Sequence, residues 1–376
     1  MLSLDKHLQA LLAIPSITPH DLGCLDYIAS ILKHLGFHCT ALPCNQVSNL
    51  YAEYGTHGPL LVFAGHTDVV EAGDLHAWTY PPFALTEQDA CYYGRGIADM
   101  KGAIAAMLTA VAQGIPDNIR FAFLLTSGEE GQDYLDGTPH VLTWLQAQDK
   151  TIDYCIVGEP SSTHTSGDMI KHGRRGSLSG NMLIQGVQGH VAYPQLAKNA
   201  IHHALPFLHA LSSHHWDDGS AFFEPTSLQI TTLEPSTHSN NVIPGHLRVA
   251  FNLRFNTLQT AAGIQDTILT LAKQHTLDAT FSWEHSGDPF LTQGGRLLDQ
   301  CQHAIETICG QKAMLSTGGG TSDARFIAAH GIEVIELGLP NATIHQVNEH
   351  VTVHDVHQLA AIYQAIIQGI HLSLIK

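Results

Sequence analysis

Short apolar runs recur along the chain, and several of them stop abruptly at polar residues. The runs at Leu60–Ala64, Ile119–Leu125, Ile152–Val157 and Ile332–Leu337 are continuous in hydrophobicity rather than alternating. Continuous runs of about four to eight residues are typical of strands that are buried on both faces of a sheet. Helical stretches separate them, notably Met100–Gln113. The pattern therefore predicts an α/β fold, with a mixed, mostly parallel sheet and helices on both faces.

The beginning of the chain is predicted to be helical. Leucines between residues 4 and 12 follow helical spacing, and Pro15 ends that helix. Apolar residues between positions 27 and 35 repeat the spacing, and Gly36 ends the second helix. Because Asp5, Lys6 and His7 interrupt the leucines, we expect a helix of the mature protein rather than a signal peptide.

The middle of the chain has a different pattern, typical of an α+β region. Three segments alternate between apolar and polar residues and two have helical spacing: the strands at 177–184, 226–233 and 246–256, and the helices at 199–211 and 260–275. The α/β pattern resumes afterwards. We therefore predict a discontinuous domain at residues 1–175 and 288–376, into which an α+β domain is inserted at 176–287.

Composition narrows the classes of function. The 376 residues suggest about two domains. With 34 acidic and 17 basic residues the formal net charge is −17, so no nucleic-acid binding is expected, because phosphate contacts need Lys and Arg. The apolar stretch Ala103–Ala112 is about half of a membrane span, so no membrane partner is expected. The seven cysteines form no C-x-x-C pair, which fits a reducing cytoplasm.

Seven polar residues with metal-binding or proton-carrying side chains follow the apolar runs: His66, Asp68, Asp99, Glu129, Glu130, Glu159 and His345. In open α/β sheets, sites form outside the carboxyl ends of the strands. Carboxylates crowded there without a lysine would repel one another, and divalent cations remove that repulsion. Imidazole together with carboxylate suits zinc, and an oxygen-rich set suits two metals bridged by one carboxylate.

Each of these residues also has an ordinary interpretation. A lone histidine after a strand is usually a surface residue, and Asp99 could cap the helix that follows it. The pair Glu129 and Glu130 could form a charged turn. Glu159 and His345 could be turn and loop residues. These separate interpretations do not explain why residues able to bind a metal follow several predicted strands at once.

Two spacings sharpen the metal hypothesis. His66 and Asp68 are two positions apart on an extended segment and face the same side. We therefore expect the Asp68 carboxylate to accept a hydrogen bond from the imidazole, as in carboxylate–histidine–metal arrangements. Glu129 and Glu130 are adjacent and cannot point the same way on a strand, so they can divide the roles of base and ligand.

Four motifs resemble the co-catalytic zinc amidohydrolases and exopeptidases, a family that includes aminoacylase, acetylornithine deacetylase and carboxypeptidase G. They are Gly65–Val70, Gly94–Gly102, Ser127–Gly131 and Val157–Ser161. The resemblance runs from about Leu4 to the C-terminus. It implies a zinc exopeptidase-like fold and two Zn²⁺ per subunit, for which Co²⁺ may substitute.

The resemblance also implies a role for each residue at the strand ends. Asp99 would bridge the two metals, with His66 and Glu159 completing one site. Glu130 and His345 would complete the other. Glu129 would act as the general base that activates a metal-bound water, and Asp68 would orient His66.

Five further segments narrow the resemblance to family members that remove a succinyl group: Gly173–Leu178, Gly186–Pro194, Asn240–Pro244, Gly318–Asp323 and Asn341–His345. The implied reaction is the hydrolysis of N-succinyl-LL-2,6-diaminopimelate to succinate and LL-2,6-diaminopimelate, a step of lysine biosynthesis. The expected substrate is a small anion with three carboxylates.

The same resemblance implies a homodimer that is formed through the inserted domain. His190 of the partner subunit would help to bind the developing oxyanion. The implied substrate-binding residues are Arg174, Tyr193, Asn240, Arg254, Gly320 and Thr321. Guanidinium groups suit a tricarboxylate because they bind carboxylates through two hydrogen bonds. The alternative for Arg174 and its neighbour Arg175 is a solvated pair at a domain hinge.

Two departures from the family pattern and two rival functions stay open. Gly128 stands where related chains often have aspartate, and Glu71 stands where they often have proline; neither is a ligand position. The nearest rival function is another deacylase, such as an acetylornithine deacetylase. The other rival is a zinc-storage protein, which only the 27 histidines favour.

Overall fold

A computed structural model of the chain describes residues 3–370. It divides into two compact units. The first unit comprises Met1–Gly173, Leu291–Ser316 and Ser322–Lys376, and the second comprises Arg174–Phe290 and Thr317–Thr321. The predicted boundaries lie close to these limits, but the prediction left 317–321 with the outer domain.

The helices are α1 (Leu4–Leu12), α2 (Cys24–His34), α3 (Lys101–Val111), α4 (Thr138–Ala147), α5 (Ala200–Ser212), α6 (Ala261–Gln274), α7 (Arg296–Cys309), α8 (Ala324–Ala328) and α9 (Val353–Ile370). The predicted helices at the beginning of the chain, after Asp99 and in the inserted region correspond to α1, α2, α3, α5 and α6. Sequence reasoning gave no bounds for α4, α7, α8 and α9.

The strands are β1 (His38–Ala41), β2 (Asn49–Tyr54), β3 (Leu60–His66), β4 (Thr86–Gln88), β5 (Cys91–Tyr93), β6 (Arg120–Thr126), β7 (Tyr154–Val157), β8 (Met169–Lys171), β9 (Gly173–Arg174), β10 (Gly176–Gln185), β11 (Gly189–His190), β12 (Ser227–Pro235), β13 (Val242–Ile243), β14 (His246–Phe255), β15 (Ala279–Gly287), β16 (Phe290–Leu291), β17 (Met314–Ser316), β18 (Glu333–Glu336) and β19 (His350–Thr352). All four continuous apolar runs contain strands, namely β3, β6, β7 and β18.

Within the described residues, the first unit holds an eight-stranded sheet in the order β1-β2-β6-β3-β7-β18-β8-β17. Its centre is parallel, because β3 pairs with β6 and β7, and β7 pairs with β18, all in the parallel sense. The pairs β1 with β2 and β2 with β6 are antiparallel. The sheet is therefore mixed, as predicted.

Helices cover both faces of this sheet. On β6, Phe121, Phe123 and Leu125 belong to the core cluster that also contains the apolar residues of α1, α3 and α9. The alternate residues Ala122 and Leu124 are equally buried but lie outside that cluster. Since α4 contacts β6 and β2, we infer that it covers this second face. A strand buried on both faces explains the continuous apolar runs.

The parallel register brings the carboxyl ends of three strands to one edge of the sheet. His66, the last residue of β3, lies opposite Thr126, the last residue of β6. Val157 at the end of β7 lies opposite Ala64 of β3. Polar residues directly after these strands therefore lie close together, which is the placement that the sequence pattern predicted.

Two glycines allow close packing at this edge. A Cβ atom at Gly65 or at Gly158 would overlap the side chain of Met100. Met100 is fully buried and stands directly before α3. The missing side chains therefore let the start of α3 lie against the ends of β3 and β7.

The second unit is built on a four-stranded antiparallel sheet in the order β12-β14-β10-β15. On β14, every second residue from Leu247 to Phe255 is buried and the residues between them are partly or fully exposed. The buried face packs with apolar residues of α5 and α6. The side chains of Asn199 and Thr260 cap these two helices. The alternating pattern in the sequence thus reflects a sheet that is covered on one face.

The search of the described residues for a helix able to cross a membrane finds none of sufficient length and hydrophobicity.

Candidate metal centre

His66 lies at the end of β3 with 1% of its side chain exposed. Its Nε2 atom is 3.1 Å from Oδ1 of Asp99 and 3.7 Å from Oε1 of Glu159. Asp99 belongs to the segment before α3, and Glu159 follows β7. Three chain segments thus place one imidazole and two carboxylates together, as the strand order predicts.

A second imidazole faces the other oxygen of Asp99. His345 has its Nε2 atom 3.4 Å from Oδ2 of Asp99 and 3.0 Å from Oε1 of Glu130. Its side chain is 47% exposed, so solvent reaches this side of the cluster. Asp99 therefore presents one oxygen to each imidazole, which is the arrangement that a bridging carboxylate needs.

The cap that was an alternative role for Asp99 is not formed. Met100, rather than Asp99, occupies the cap position of α3, and no side chain caps this helix end. The carboxylate of Asp99 instead hydrogen-bonds to His66. The ordinary interpretation of Asp99 as a helix cap is therefore wrong.

Asp68 differs from the expectation in the atom that it uses. The Nδ1 atom of His66 lies 2.9 Å from the backbone oxygen of Asp68, while the nearer carboxylate oxygen is 3.6 Å away. The carboxylate instead accepts hydrogen bonds from the backbone N–H groups of Glu129 and Glu130, at 3.3 and 3.0 Å. Asp68 thus orients the imidazole through its main chain and fixes the acidic pair through its side chain.

Glu129 and Glu130 extend toward different partners after β6. Oε1 of Glu130 hydrogen-bonds to His345. Glu129 falls in a group with His66 and Glu159 whose potential ligand atoms all lie within 4.8 Å of one another. Both carboxylates lie near His66, since a second such group joins His66 with Asp99 and Glu130, and Glu130 in addition contacts His345.

The neighbouring carboxylates raise the pKa of both imidazoles. Burial disfavours charge on His66, but the hydrogen bond to Asp99 and the surrounding negative charge raise its pKa well above the ordinary value. Hydrogen bonds to Asp99 and Glu130 raise the pKa of His345 to about 10. Both shifts follow from the negative charge that surrounds the two rings.

The carboxylates themselves have divergent pKa values. Burial raises the pKa of Glu129 well above its ordinary value, and burial likewise raises that of Glu159. Burial would also raise the pKa of Asp99, but hydrogen bonds from the two imidazoles hold it well below the ordinary value. Divergent values within one cluster are typical of acid–base sites. A carboxylate with a raised pKa suits a general base that works near neutral pH.

The donor set fits divalent metals. Oε1 of Glu159 is buried and has no hydrogen-bond partner among residues 3–370. A second group of potential ligand atoms, from His66, Asp99 and Glu130, also lies within 4.8 Å. An unpartnered buried acceptor is costly unless a ligand satisfies it. Imidazole nitrogen and carboxylate oxygen are ligands that zinc accepts.

Comparison with known proteins identifies the family. Residues 62–369 match the peptidase family M20/M25/M40. The chain belongs to this family. The M20 assignment agrees with the resemblance that the four motifs at the strand ends carry.

Two relatives are similar to this chain over nearly its full length. The chain is 48% identical to a succinyl-diaminopimelate desuccinylase of Legionella pneumophila strain Paris, over 97% of this chain and 98% of the relative. It is also 48% identical to a protein of the same name from Hahella chejuensis, over 94% of this chain and 93% of the relative.

Solved structures of M20 proteins share the fold. The chain resembles a metallo-carboxypeptidase, Sso-CP2 of Sulfolobus solfataricus, with a TM-score of 0.82 at 14% identity over 99% of this chain and all of that one (100%). It also resembles the YXEP protein of Bacillus subtilis, titled a dinuclear metal-binding peptidase, with a TM-score of 0.70 at 15% identity over 98% of both chains. The expected α/β class is thereby confirmed.

The remaining predicted site residues lie in the second unit. His190 is exposed at the end of β11, and its ring centroid is 5.7 Å from that of Tyr193. Tyr193 is 57% exposed. Asn240 is also exposed, in the turn before β13. These three residues form an open surface of the unit rather than part of its core.

Arg174 is buried within the second unit. Its Nη1 atom donates a hydrogen bond of 2.7 Å to the backbone oxygen of Gly318, two residues before Gly320 in the chain. Arg175 approaches Glu224 at 3.5 Å. The alternative of a solvated arginine pair is therefore wrong for Arg174.

Arg254 lies on the face of the second sheet that the helices leave uncovered. It pairs in register with Ser177 on one side and Ser227 on the other. Its side chain is partly exposed, between the buried Leu253 and Phe255. The position is accessible to a small ligand.

Sequence reasoning missed several buried carboxylates of the first unit, among them Asp323 and Glu349. Asp323 was quoted only as part of a motif, yet it is 2% exposed and accepts a 2.6 Å hydrogen bond from Thr138. Glu349 was not singled out, although it is 1% exposed and contacts the segment that carries Asp99. An acidic residue beside a short strand near His345 was the available signal for Glu349.

Proposed function

We propose that this chain hydrolyses N-succinyl-LL-2,6-diaminopimelate to succinate and LL-2,6-diaminopimelate. Desuccinylases that are 48% identical over nearly the whole chain support this substrate. The single observation that carries the chemistry is the placement of Asp99, one oxygen toward His66 and the other toward His345.

The proposed metals are two zinc ions. His66, Asp99 and Glu159 would hold one, while Asp99, Glu130 and His345 would hold the other. Such metals supply a Lewis acid for the amide carbonyl and lower the pKa of a water molecule. Because a metal ligand must be unprotonated, metal binding competes with protonation of the two imidazoles.

Glu129 is the proposed general base. Its raised pKa lets it accept a proton from the attacking water and later donate that proton to the leaving amine. Asp68 supports this role by holding the backbone N–H of Glu129. Water thus adds its oxygen to the succinyl carbon, and the amide C–N bond breaks as the amine takes up the proton.

The proposed substrate carries three carboxylates, while the protein has a formal net charge of −17. Local cations must therefore offset long-range repulsion, and guanidinium groups do so with directional hydrogen bonds. Arg174 and Arg254 are the proposed carboxylate ligands, and Tyr193, Asn240, Gly320 and Thr321 are the proposed neutral contacts. Arg174 is buried, which suits a residue that holds one substrate carboxylate in a fixed position. Arg254 is partly exposed, which suits a residue that the substrate can reach from solvent.

We further propose a homodimer in which His190 of the partner subunit donates a hydrogen bond to the oxyanion. His190 is exposed in its own unit and is therefore available to another subunit. An imidazole N–H near a developing oxyanion lowers the barrier because it meets charge that forms only in the transition state.

The proposed location is the cytoplasm. All seven cysteines are free thiols, and no disulfide links any of them. Free thiols persist in reducing compartments. A biosynthetic hydrolase of a small metabolite fits that setting.

The decisive experiment measures hydrolysis by metal-free protein as zinc is added back stepwise. We expect activity on the succinylated substrate to appear with zinc and to exceed activity on N-acetylornithine. Preference for the acetylated compound would instead identify the rival deacylase. Failure of zinc, and of cobalt in parallel, to restore hydrolysis of either compound would contradict the proposal.

The storage hypothesis makes a different prediction for the same samples. It requires binding well above two metals per chain, since storage depends on many sites. Among the described residues, the groups able to hold a metal are confined to the one centre at the sheet edge. We therefore expect zinc titration to saturate near two ions per chain.

A further inference from the structure

Glu349 is a buried carboxylate outside the set of candidate ligands, and it is 1% exposed. One of its oxygens, Oε2, accepts hydrogen bonds from Nη1 of Arg95 at 2.8 Å and from the backbone N–H of Gly96 at 2.9 Å. The other, Oε1, accepts from the backbone N–H groups of Ala98 at 2.8 Å and Asp99 at 3.2 Å. Both oxygens are thus engaged by a single short segment of chain.

Strand pairing fixes where Glu349 meets that segment. β5 and β19 are antiparallel neighbours, with Tyr93 opposite His350. The backbone N–H of Gly94 donates to the backbone oxygen of Glu349 at 3.1 Å, which continues the pairing beyond the strands. The main chain of Glu349 therefore sets the register, and its side chain then reaches along the segment that follows β5.

The two segments that Glu349 joins carry ligands of the same proposed metal. The segment after β5 ends at Asp99, and the loop before β19 contains His345. Oδ2 of Asp99 lies 3.4 Å from Nε2 of His345. A shift of either segment would change this separation, and metal sites tolerate only small changes in ligand position.

The charge of Glu349 is balanced locally. Its partner Arg95 is 2% exposed and also donates to the backbone oxygen of Glu71 at 3.3 Å. The guanidinium lies 5.2 Å from the ring centroid of Trp78. The pair therefore adds no net charge to the acidic cluster.

We propose that Glu349 is a positioning residue that holds the backbone of Asp99 where its carboxylate meets both imidazoles. This inference rests on the metal centre of the proposed function. It predicts that the metal shared by Asp99, Glu130 and His345 depends on Glu349, although Glu349 contacts no metal.

The test is Co²⁺ binding to metal-free, full-length protein carrying Glu349→Gln. Glutamine replaces one acceptor oxygen with an NH₂ group, which then faces two N–H donors that it cannot satisfy. We expect the affinity for one Co²⁺ to fall about 10- to 100-fold, as for other residues that orient metal ligands. Calorimetry gives the affinity, and the visible absorption of bound Co²⁺ reports a changed ligand geometry independently of activity.

Asp355→Asn is the matched control. Asp355 is 3% exposed and accepts hydrogen bonds from the backbone N–H of Ser166 at 2.8 Å and from the hydroxyl groups of Thr165 at 2.9 Å and Thr352 at 2.6 Å. It is thus another buried carboxylate that joins loops of the first unit. We expect this variant to lower the melting temperature while both Co²⁺ affinities and the absorption spectrum stay as in the wild type.

Three outcomes test the positioning role of Glu349 and the metal centre on which it rests. A folded Glu349→Gln variant with wild-type Co²⁺ affinities and spectrum would overturn the positioning role. Where Glu349→Gln does not fold, Glu349→Asp keeps the charge but shortens the reach: weakened Co²⁺ binding supports the role and unchanged binding overturns it. A wild-type protein that binds no Co²⁺ would contradict the proposed metal centre itself, and with it the inference.

Discussion

Two polar clusters, one in each unit of the molecule, differ in how their acceptors are satisfied. In the second unit, the carboxylate oxygen Oδ1 of Asp217 accepts hydrogen bonds from the backbone N–H groups of Gly219 and Thr226 and from the side chain of Asn256. In the first unit, carboxylates face one another across two imidazoles, and an oxygen of Glu159 has no hydrogen-bond partner among the described residues. One cluster is satisfied by its own chain, and the other is not.

The difference separates structural from functional polar groups. A buried acceptor that its own chain satisfies stabilises the fold. Buried acceptors that have no hydrogen-bond partner, in a cluster of groups with perturbed pKa values, indicate a site that binds a ligand. On this criterion the sheet edge that carries Asp99 is a candidate ligand site, whereas the hydrogen bonds around Asp217 stabilise the second unit.

The sharpest test of this contrast is Glu129→Gln. If Glu129 is a base rather than a ligand, the change should keep both metals and reduce kcat by about 10²- to 10⁴-fold, because the proton acceptor is lost while the shape stays. Turnover of the succinylated substrate and metal content by elemental analysis are the two measurements.

The control for this variant is Glu333→Gln, another carboxylate of the first unit that accepts a backbone hydrogen bond, from Leu298 at 3.1 Å. It should leave kcat and metal content unchanged. Loss of a bound metal in Glu129→Gln would show instead that Glu129 is a ligand, and the division of roles between Glu129 and Glu130 would then be wrong.

The second test asks whether a residue of the second unit takes part in chemistry. His190→Ala should lower kcat by about 10²- to 10³-fold with a smaller effect on KM, because an oxyanion donor acts in the transition state. Wild-type kcat in this variant would remove His190 from the site.

Mixing variants tests the origin of His190. A dimer of one His190→Ala and one Glu129→Gln subunit would contain one intact site if His190 acts across the interface. A random equal mixture should then regain about a quarter of wild-type activity, since half of its dimers are mixed and each has one working site. If subunit exchange is verified and the mixed dimers still regain no activity, His190 acts in the same subunit as the Glu129 with which it works.

Sequence alone predicted the residues of the centre because parallel strands have a simple geometry. His66, Glu130 and Glu159 follow strands whose ends the sheet brings to one edge, so position in the chain translates directly into position in space. Family resemblance then supplied roles that spacing could not, such as the bridging role of Asp99.

The remaining features depend on contacts that sequence spacing does not encode. That His66 meets the backbone oxygen of Asp68, rather than its carboxylate, does not follow from the two-residue spacing. Glu349 acts on residues far away in the chain, and no periodicity links the two segments. Residues 317–321 belong to the second unit, in which Gly318 accepts a hydrogen bond from Arg174, and this contact is equally nonlocal.

The smallest expected effect is on the free energy of unfolding, from a change in the cluster around Asp217. Hydrogen bonds from Thr226, Asn256 and Gly219 outweigh the effect of burial and lower the pKa of Asp217 to about 2. A folded-state pKa below the unfolded one means that the carboxylate stabilises the fold above the unfolded pKa, which is about 3.9. This stability should be lost as the pH falls from there toward 2.

Asp217→Asn should therefore lower the free energy of unfolding by about 1 kcal/mol at neutral pH, since an amide cannot accept all the hydrogen bonds that the carboxylate does. Urea unfolding followed by circular dichroism measures the difference between variant and wild type, which should shrink as the pH approaches 2. Co²⁺ stoichiometry serves as the control and should not change, because the cluster is complete without a ligand. If the Asp217→Asn variant is as stable as the wild type at neutral pH, or if it loses a metal, the cluster around Asp217 does not differ from the one around Asp99 in the way argued above.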